Sequence, residues 1–224
     1  MRQDEGIALN LVFDPIKHEY FLDGLKVPGI TTVLSDMGFD DVDKWAKPEH
    51  RDRGTAVHEL CSEIALLERP ESNFEWDGTC GCGAGPHCKH EIALPYGVSF
   101  QKFLRKSGFV VEPGMVEVAV YSAIYRCAGK FDMYGHRGRT RILVDLKSGK
   151  PQPAVAIQLS AYRFMLRESR GVETDESYAL WLDPEGGFPK VVQPEQPSSD
   201  ERIFQSLIEC WWWKKTHGIL PRKD

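Results

Sequence analysis

One stretch limits what this chain can fold into more than any other. It runs from Cys127 to Tyr162, CAGKFDMYGHRGRTRILVDLKSGKPQPAVAIQLSAY. Its pattern predicts strand, turn, strand, loop, helix. Tyr125 to Tyr134 reads as one strand and Arg139 to Lys147 as the next, with His136-Arg137-Gly138 as the hairpin turn. The apolar run Ile142-Leu143-Val144 leads into Asp145-Leu146-Lys147. Alternate residues of a strand share a face, so Asp145 and Lys147 point one way and Leu146 the other, into the core. Pairing the two strands brings Asp132 beside Asp145. Two carboxylates and an ammonium then meet at one place.

After a turn at Ser148-Gly149-Lys150-Pro151, a helix is predicted from about Pro153 to Glu168. Ala154, Ile157, Ala161 and Met165 form its apolar stripe. Gln158 and Tyr162, four residues apart, border that stripe one turn from each other. A glutamine on the inward side of a helix needs partners for its amide. Either Gln158 caps a backbone group beside an ordinary core tyrosine, or the two serve the neighbouring acids.

Two aspartates and a lysine suit metal-assisted phosphodiester hydrolysis. Mg²⁺ is held by hard oxygen ligands, commonly one or two carboxylates. The ion polarises the phosphate and lowers the pKa of a bound water, while a lysine alongside stabilises the transition state or orients the water. The triplet Asp-x-Lys is short, and by itself it also fits a solvated strand end.

The order of these elements is what makes them specific. Gly129-Lys130-Phe131-Asp132, Asp145-Leu146-Lys147 and Gln158-Leu159-Ser160-Ala161-Tyr162 resemble the Gly-x-x-Asp, Asp/Glu-x-Lys and Gln-x-x-x-Tyr motifs of the RecB-like branch of the PD-(D/E)XK nuclease superfamily. Gly54-Thr55-Ala56-Val57-His58 matches its upstream Gly-x-x-x-His. The resemblance covers roughly Gly54 to Tyr162 apart from one insertion. It implies a catalytic set of Asp132, Asp145, Lys147, Gln158 and Tyr162. It also implies a metal site of His58, Asp132, Asp145 and the Leu146 carbonyl, taking Mg²⁺ or, because imidazole suits it, Mn²⁺. Glu117, between Val116 and Val118 and turned away from them, stands where the superfamily often has a further acid. The implied fold is α/β, a central mixed sheet flanked by helices with a restriction-endonuclease-like core. The implied activity is DNA hydrolysis. Exonuclease action in recombination, repair or phage DNA processing is expected by analogy, with DNA, single-stranded or with free ends, as partner. A structure-specific endonuclease and a non-cleaving nucleic-acid-binding module stay open as alternatives.

The rest of the chain frames that segment. Its 224 residues suit a single domain, and a 42% hydrophobic content is enough for a core. No apolar run approaches the roughly 20 residues of a membrane span. The opening MRQDEGIALN has acids and no apolar run, so a cytoplasmic protein of a bacterial host or its phage, with reduced thiols, is expected. The net charge of −5 argues mildly against a nucleic-acid binder. Basic clusters at Lys44 to Arg53, Lys102 to Lys106, Arg137 to Arg141 and Lys214 to Arg222 provide local positive charge, whether as phosphate contacts or as ordinary solvated surface. No phosphate-cradling loop of the ATPase type occurs, so any helicase or recombination motor is expected to be a separate chain.

Before the central stretch, Leu9 to Phe13 and His18 to Leu22 predict a hairpin turned by Asp14-Pro15. Thr31 or Thr32 is expected to cap a short helix ending near Gly38. Val27-Pro28-Gly29 resembles the leader of many phage-encoded members of the superfamily, with Gly29 in place of a serine. A helix from about Asp52 to Arg69 carries the stripe Val57, Leu60, Cys61 and Ile64, with His58 at its margin. A further helix is predicted for about Pro95 to Ser107, and strands for Phe109 to Glu112 and Met115 to Tyr121.

Residues 71 to 92, ESNFEWDGTCGCGAGPHCKHEI, form an insertion. Three of the six cysteines and two of the seven histidines fall between Cys80 and His90. Cys80, Cys82, Cys88 and His90 are expected to close a tetrahedral Zn²⁺ site, with His87 competing; a mobile reduced loop is the alternative. Some RecB-like nucleases hold an iron–sulfur cluster through three cysteines near the C-terminus. This chain has only Cys210 there, so no cluster is expected. Ser177 to Leu182 predicts a strand, and Asp200 to His217 a last helix. That helix carries Trp211-Trp212-Trp213, which cannot all face one core. Packing over the sheet edge and base stacking on a single strand are both open to it. Trp212, Arg137 and Arg139 are the candidate DNA contacts.

Overall fold

The computed structural model describes residues 10–15, 17–39, 48–67 and 91–220. The candidate zinc ligands Cys80, Cys82, His87, Cys88 and His90 lie outside the described residues, as do residues 44–47 of the basic cluster that begins at Lys44. The chain begins with a three-stranded antiparallel sheet, β1 (Leu11–Asp14), β2 (Glu19–Leu22) and β3 (Leu25–Val27), followed by helix α1 (Ile30–Asp36). Helices α2 (Pro48–Leu67) and α3 (Leu94–Ser107) come next, with a short 3-10 turn at Glu91–Ala93 before α3. Strands β4 (Val110–Ser122), β5 (Cys127–Arg137) and β6 (Thr140–Lys147) then lead into α4 (Ala154–Arg170). Strands β7 (Glu176–Trp181) and β8 (Lys190–Val192) and helix α5 (Pro197–Thr216) complete the order.

The main sheet runs β4-β5-β6-β7-β8. Only β6 and β7 are parallel, and the rest pair antiparallel. A parallel neighbour requires a crossover connection, and α4 makes it. The architecture is therefore α/β with a mixed sheet and helices on both faces, as expected. The β5–β6 hairpin turns at Gly138-Arg139, one residue later than predicted; Arg137 pairs with Thr140 and Gly138 takes the left-handed φ of 60° that such a turn requires. Strands β3 and β8 were not anticipated. Each has only three residues, too few for a period to register. The N-terminus of α1 is also different: Gly29 occupies the cap position in extended conformation and no side chain caps the helix, so neither Thr31 nor Thr32 does so. The parallel bridge between Gly29 and Ala128, with the Ala128 N–H donating to Pro28 O, anchors this entry instead.

Two apolar layers sandwich the sheet. On one face Ile142, Val144 and Leu146 of β6 pack with Val57, Leu60 and Ile64 of α2 and Phe100 and Phe103 of α3. On the other, Leu143 of β6 packs with Ile157, Ala161 and Met165 of α4, Val33 and Leu34 of α1, and Phe204 and Ile208 of α5. The predicted stripes of α2 and α4 are thus the buried faces. Each fully buried Phe or Leu contributes on the order of 1.5–3 kcal/mol by leaving water. No helix among the described residues is long and apolar enough to cross a membrane.

The facing of β4 and β5 reverses partway along. Val118 and Phe131, which pair, belong to the α4 side; Val116 and Met133, the next pair, belong to the α2 side. Residues two apart on a regular strand share a face, so both strands rotate between these pairs. Glu117 and Asp132 lie at the rotation, and Glu117 has a positive φ of 54°. The register of this ladder also shifts between Val111 and Val116. The two short strands predicted for this region are in consequence one long strand with an irregularity inside it.

Candidate active site

The candidate site lies where β5 and β6 part. Their pairing ends at Met133 and Val144, and the next residues along are Asp132 and Asp145. Beyond that point β5 stays with β4, while β6 continues beside β7 through Asp145, Leu146 and Lys147. The opening leaves a backbone donor on β6 without a ladder partner, and a side chain meets it. The Leu146 N–H donates to Asp132 Oδ2 at 2.5 Å. The other oxygen, Oδ1, lies 2.7 Å from His58 Nδ1 of α2. Asp132 is buried, so each of its oxygens requires such a contact.

Strand alternation puts Asp145 and Lys147 on the α4 side, with Leu143, as the sequence implied. Lys147 Nζ lies 2.6 Å from Asp145 Oδ2 and donates to Gln158 Oε1 at 3.0 Å. Gln158 Nε2 donates in turn to Tyr162 OH at 2.8 Å. Gln158 is 6% exposed and Tyr162 3% exposed. The inward glutamine therefore satisfies its amide by bridging the lysine to the tyrosine. Gly129 makes this placement of Tyr162 sterically feasible: a Cβ there would lie 2.5 Å from Tyr162 Cε1 and 3.1 Å from Met165 Cε. The glycine of Gly-x-x-Asp is a space requirement between strand and helix.

The opposite flank is built by α2 and β4. Glu117 Oε1 lies 3.7 Å from His58 Nδ1 and accepts a long hydrogen bond of 3.5 Å from Ser62 Oγ. Glu117 Oε2 forms an ion pair with Lys130 Nζ of β5. Ligand atoms of His58, Glu117 and Asp132 all lie within 4.8 Å of one another, a spacing that could hold a metal ion. The acid completing this set is Glu117, whereas Asp145 is engaged with Lys147. At Leu146 the contact in place is made by the amide to Asp132. Two carboxylates and an imidazole nitrogen suit Mg²⁺ or Mn²⁺ chemically.

Charges in the cluster are strongly coupled. Burial opposes the charge on His58, but the Asp132 carboxylate outweighs it and Glu117 adds to it, raising the imidazole to about 10. Burial raises Asp132 to about 6; His58 opposes the rise and the charge of Asp145 adds to it. Burial also acts to raise Glu117, yet its contacts to His58 and Lys130 hold it down at about 2. At neutral pH a positively charged imidazole thus sits between two acids. A divalent cation would neutralise the same acids in place of that proton, so the residues fit the ion.

The candidate DNA contacts are placed elsewhere. Arg137 and Arg139 lie at the far end of the β5–β6 hairpin, five and seven residues from Asp132, on the order of 16 Å or more along the strand. Arg137 is paired with Glu176 and donates to Tyr178 OH. Trp212 is half-buried: its Nε1 donates to Tyr125 O, and Arg126 and Lys215 lie over its ring. Trp211 is buried and donates to Asp36, so Trp213, 58% exposed and stacked on His217, is the open indole. Lys130 was not singled out from the sequence. It reaches Glu117 as the diagonal neighbour across the β4–β5 pair, a relation that exists only once the register is known. No family model matches this chain, and no curated protein matches it.

Proposed function

We propose that the protein is a metal-dependent DNA nuclease with a restriction-endonuclease-like core, of the RecB-like kind its motifs resemble. The observation that carries the reading is the contact chain Asp145–Lys147–Gln158–Tyr162 beside Asp132, at the point where two sheet strands separate. A structural lysine has no need of a buried glutamine and tyrosine holding it at the mouth of an acid cluster.

His58, Asp132 and Glu117 would hold the divalent ion, with Asp145 in reach of its field. The ion supplies Lewis acidity toward a phosphodiester. The Leu146 N–H fixes the orientation of Asp132. His58 binds the other oxygen of the same carboxylate. Lys147 presents an ammonium where negative charge develops on the phosphoryl oxygens and orients the attacking water. Gln158 and Tyr162 restrict that ammonium to one position, which reduces the reorganisation required during the reaction. Hydrolysis adds the water oxygen to phosphorus with loss of one water proton to solvent, and expels one deoxyribose oxygen, which takes up a proton from solvent. Action at free ends is the form of this activity we favour.

The test is cleavage of end-labelled linear DNA and covalently closed circular DNA of the same sequence, with Mg²⁺ or Mn²⁺ and with a chelator. Metal-dependent loss of the linear substrate alone supports an exonuclease. Cutting of the circle identifies an endonuclease instead. Binding without cleavage in either metal overturns the proposal.

A further inference from the structure

The acid pair at the site is flanked by two lysines, and the function above uses only Lys147. Lys130 is placed differently. Its Nζ pairs with Glu117 Oε2 and lies 5.3 Å from the centre of the Phe13 ring of β1. Phe13 in turn packs edge-on against His18 at 5.2 Å and beside Tyr20 at 4.8 Å, so the N-terminal hairpin forms a wall next to the acid cluster. The Lys130 side chain keeps 28% of its surface exposed and Glu117 25%, which leaves both open to solvent at the mouth. Glu117 cannot give both oxygens fully to a divalent ion while one is held by an ammonium. Lys130, once freed, presents its ammonium to an anion entering beside the Phe13 wall.

We propose that Lys130 is a phosphate-positioning residue which metal binding releases from Glu117 and which then takes a phosphate oxygen of the nucleic-acid strand along the Phe13 wall. This rests on the nuclease reading for the identity of the anion, though not for the exchange at Glu117. Lysine suits such an exchange because its charge is a compact point on a flexible stem. The stem can stay over Phe13 while the ammonium moves from carboxylate to phosphate. The positive φ of Glu117 is consistent with a backbone held in a sparsely populated conformation to aim that carboxylate between two partners.

The experiment uses the full chain with Lys130→Met, which keeps the stem and removes the charge, and Lys130→Arg, which keeps the charge. Mn²⁺ affinity without DNA is measured by titration calorimetry. Binding to a short single strand is measured in Ca²⁺ over a range of salt. Lys130→Met is expected to bind Mn²⁺ about fivefold more tightly, because a partly exposed ion pair no longer competes. It is expected to reduce the slope of log affinity against log salt by about 1, the signature of one lost phosphate contact. Lys130→Arg is expected to restore the slope. A merely structural lysine would weaken metal and strand binding together. Unchanged or weaker Mn²⁺ binding by Lys130→Met with a native circular dichroism spectrum overturns the exchange, even in an active nuclease. A wild-type protein that binds no nucleic acid sinks the phosphate half together with the function, while tighter Mn²⁺ binding by Lys130→Met would still support the exchange.

Discussion

The two flanks of the site are built in opposite ways. On the α4 flank, Asp145, Lys147, Gln158 and Tyr162 come from one strand and the next helix, and they form a continuous, largely buried chain. On the α2 flank, His58, Glu117 and Lys130 come from a helix and two strands, and each is a quarter to a third exposed. His58 and Asp132 are 74 residues apart in the chain. The first flank is a rigid device that holds one ammonium in one place. The second is a set of partly exposed ion pairs around Glu117, the arrangement that the proposed cation exchange uses. Catalytic positioning requires the former and loading of an ion the latter.

Substitutions that separate the flanks test this contrast. The largest effect is expected at Lys147. Lys147→Ala should reduce kcat by about 10³-fold or more, as loss of a preorganised transition-state contact does. Lys147→Arg, which keeps a positive charge beside Asp145, should still lose most turnover because a planar guanidinium cannot reproduce the point contact to Gln158. Steady-state cleavage of labelled DNA measures both, and retained turnover in either breaks the assignment. Gly129→Ala comes next. It forces Tyr162 away from β5 and should lower stability by about 1–3 kcal/mol, read by urea unfolding, while also loosening the Lys147 chain. Glu117→Gln should weaken Mn²⁺ binding by about tenfold and leave the α4 flank intact, so kcat at saturating metal should fall much less than in Lys147→Ala.

The smallest effect expected is on pH dependence, and it isolates the α2 flank. His58 has a folded-state pKa of about 10, above the ordinary value of 6.5. Its contribution to stability is complete below pH 6.5 and is lost as the pH rises toward 10. Asp132, raised to about 6, acts in the same direction: the folded protein holds a proton that the unfolded chain releases near pH 4, and that gain is lost as pH rises through 6. The metal-free protein should therefore melt at a lower temperature at pH 9 than at pH 6. Saturating Mn²⁺ should reduce or reverse this trend, because the ion requires His58 without its proton and binds better as pH rises. Thermal melts across that range, with and without Mn²⁺, measure it. A metal-free melting temperature that rises from pH 6 to pH 9 would contradict the arrangement of charges around His58.

Legibility in the sequence followed these flanks. The stripes of α2 and α4, the strand alternation of β6 and, to within one residue, the β5–β6 turn could all be read, because each depends on spacing over a few residues. The same holds for Asp145, Lys147, Gln158 and Tyr162. Boundaries were less visible: α5 starts at Pro197, three residues before the expected Asp200, and α2 starts at Pro48. That the three indoles cannot share one core was legible, but which of them opens was not: the turn of α5 buries Trp211, half-buries Trp212 and leaves Trp213 exposed. Glu117 was recognisable only through resemblance, and its exchange partner Lys130 was not recognisable at all.

The amino-acid sequence by itself determined an α/β chain with a strand–turn–strand–helix centre and one face bearing an acid, a lysine and a glutamine, since period-two and period-3.6 patterns dictate which side chains share a face. Only the tertiary structure decided that β6 leaves β5 after Val144, that β4 and β5 reverse their facing at Glu117 and Asp132, and that His58 arrives from a distant helix. Those outcomes depend on which strands pair and where the pairing stops. Burial of both apolar layers at once sets that choice, and no short stretch of the chain contains it.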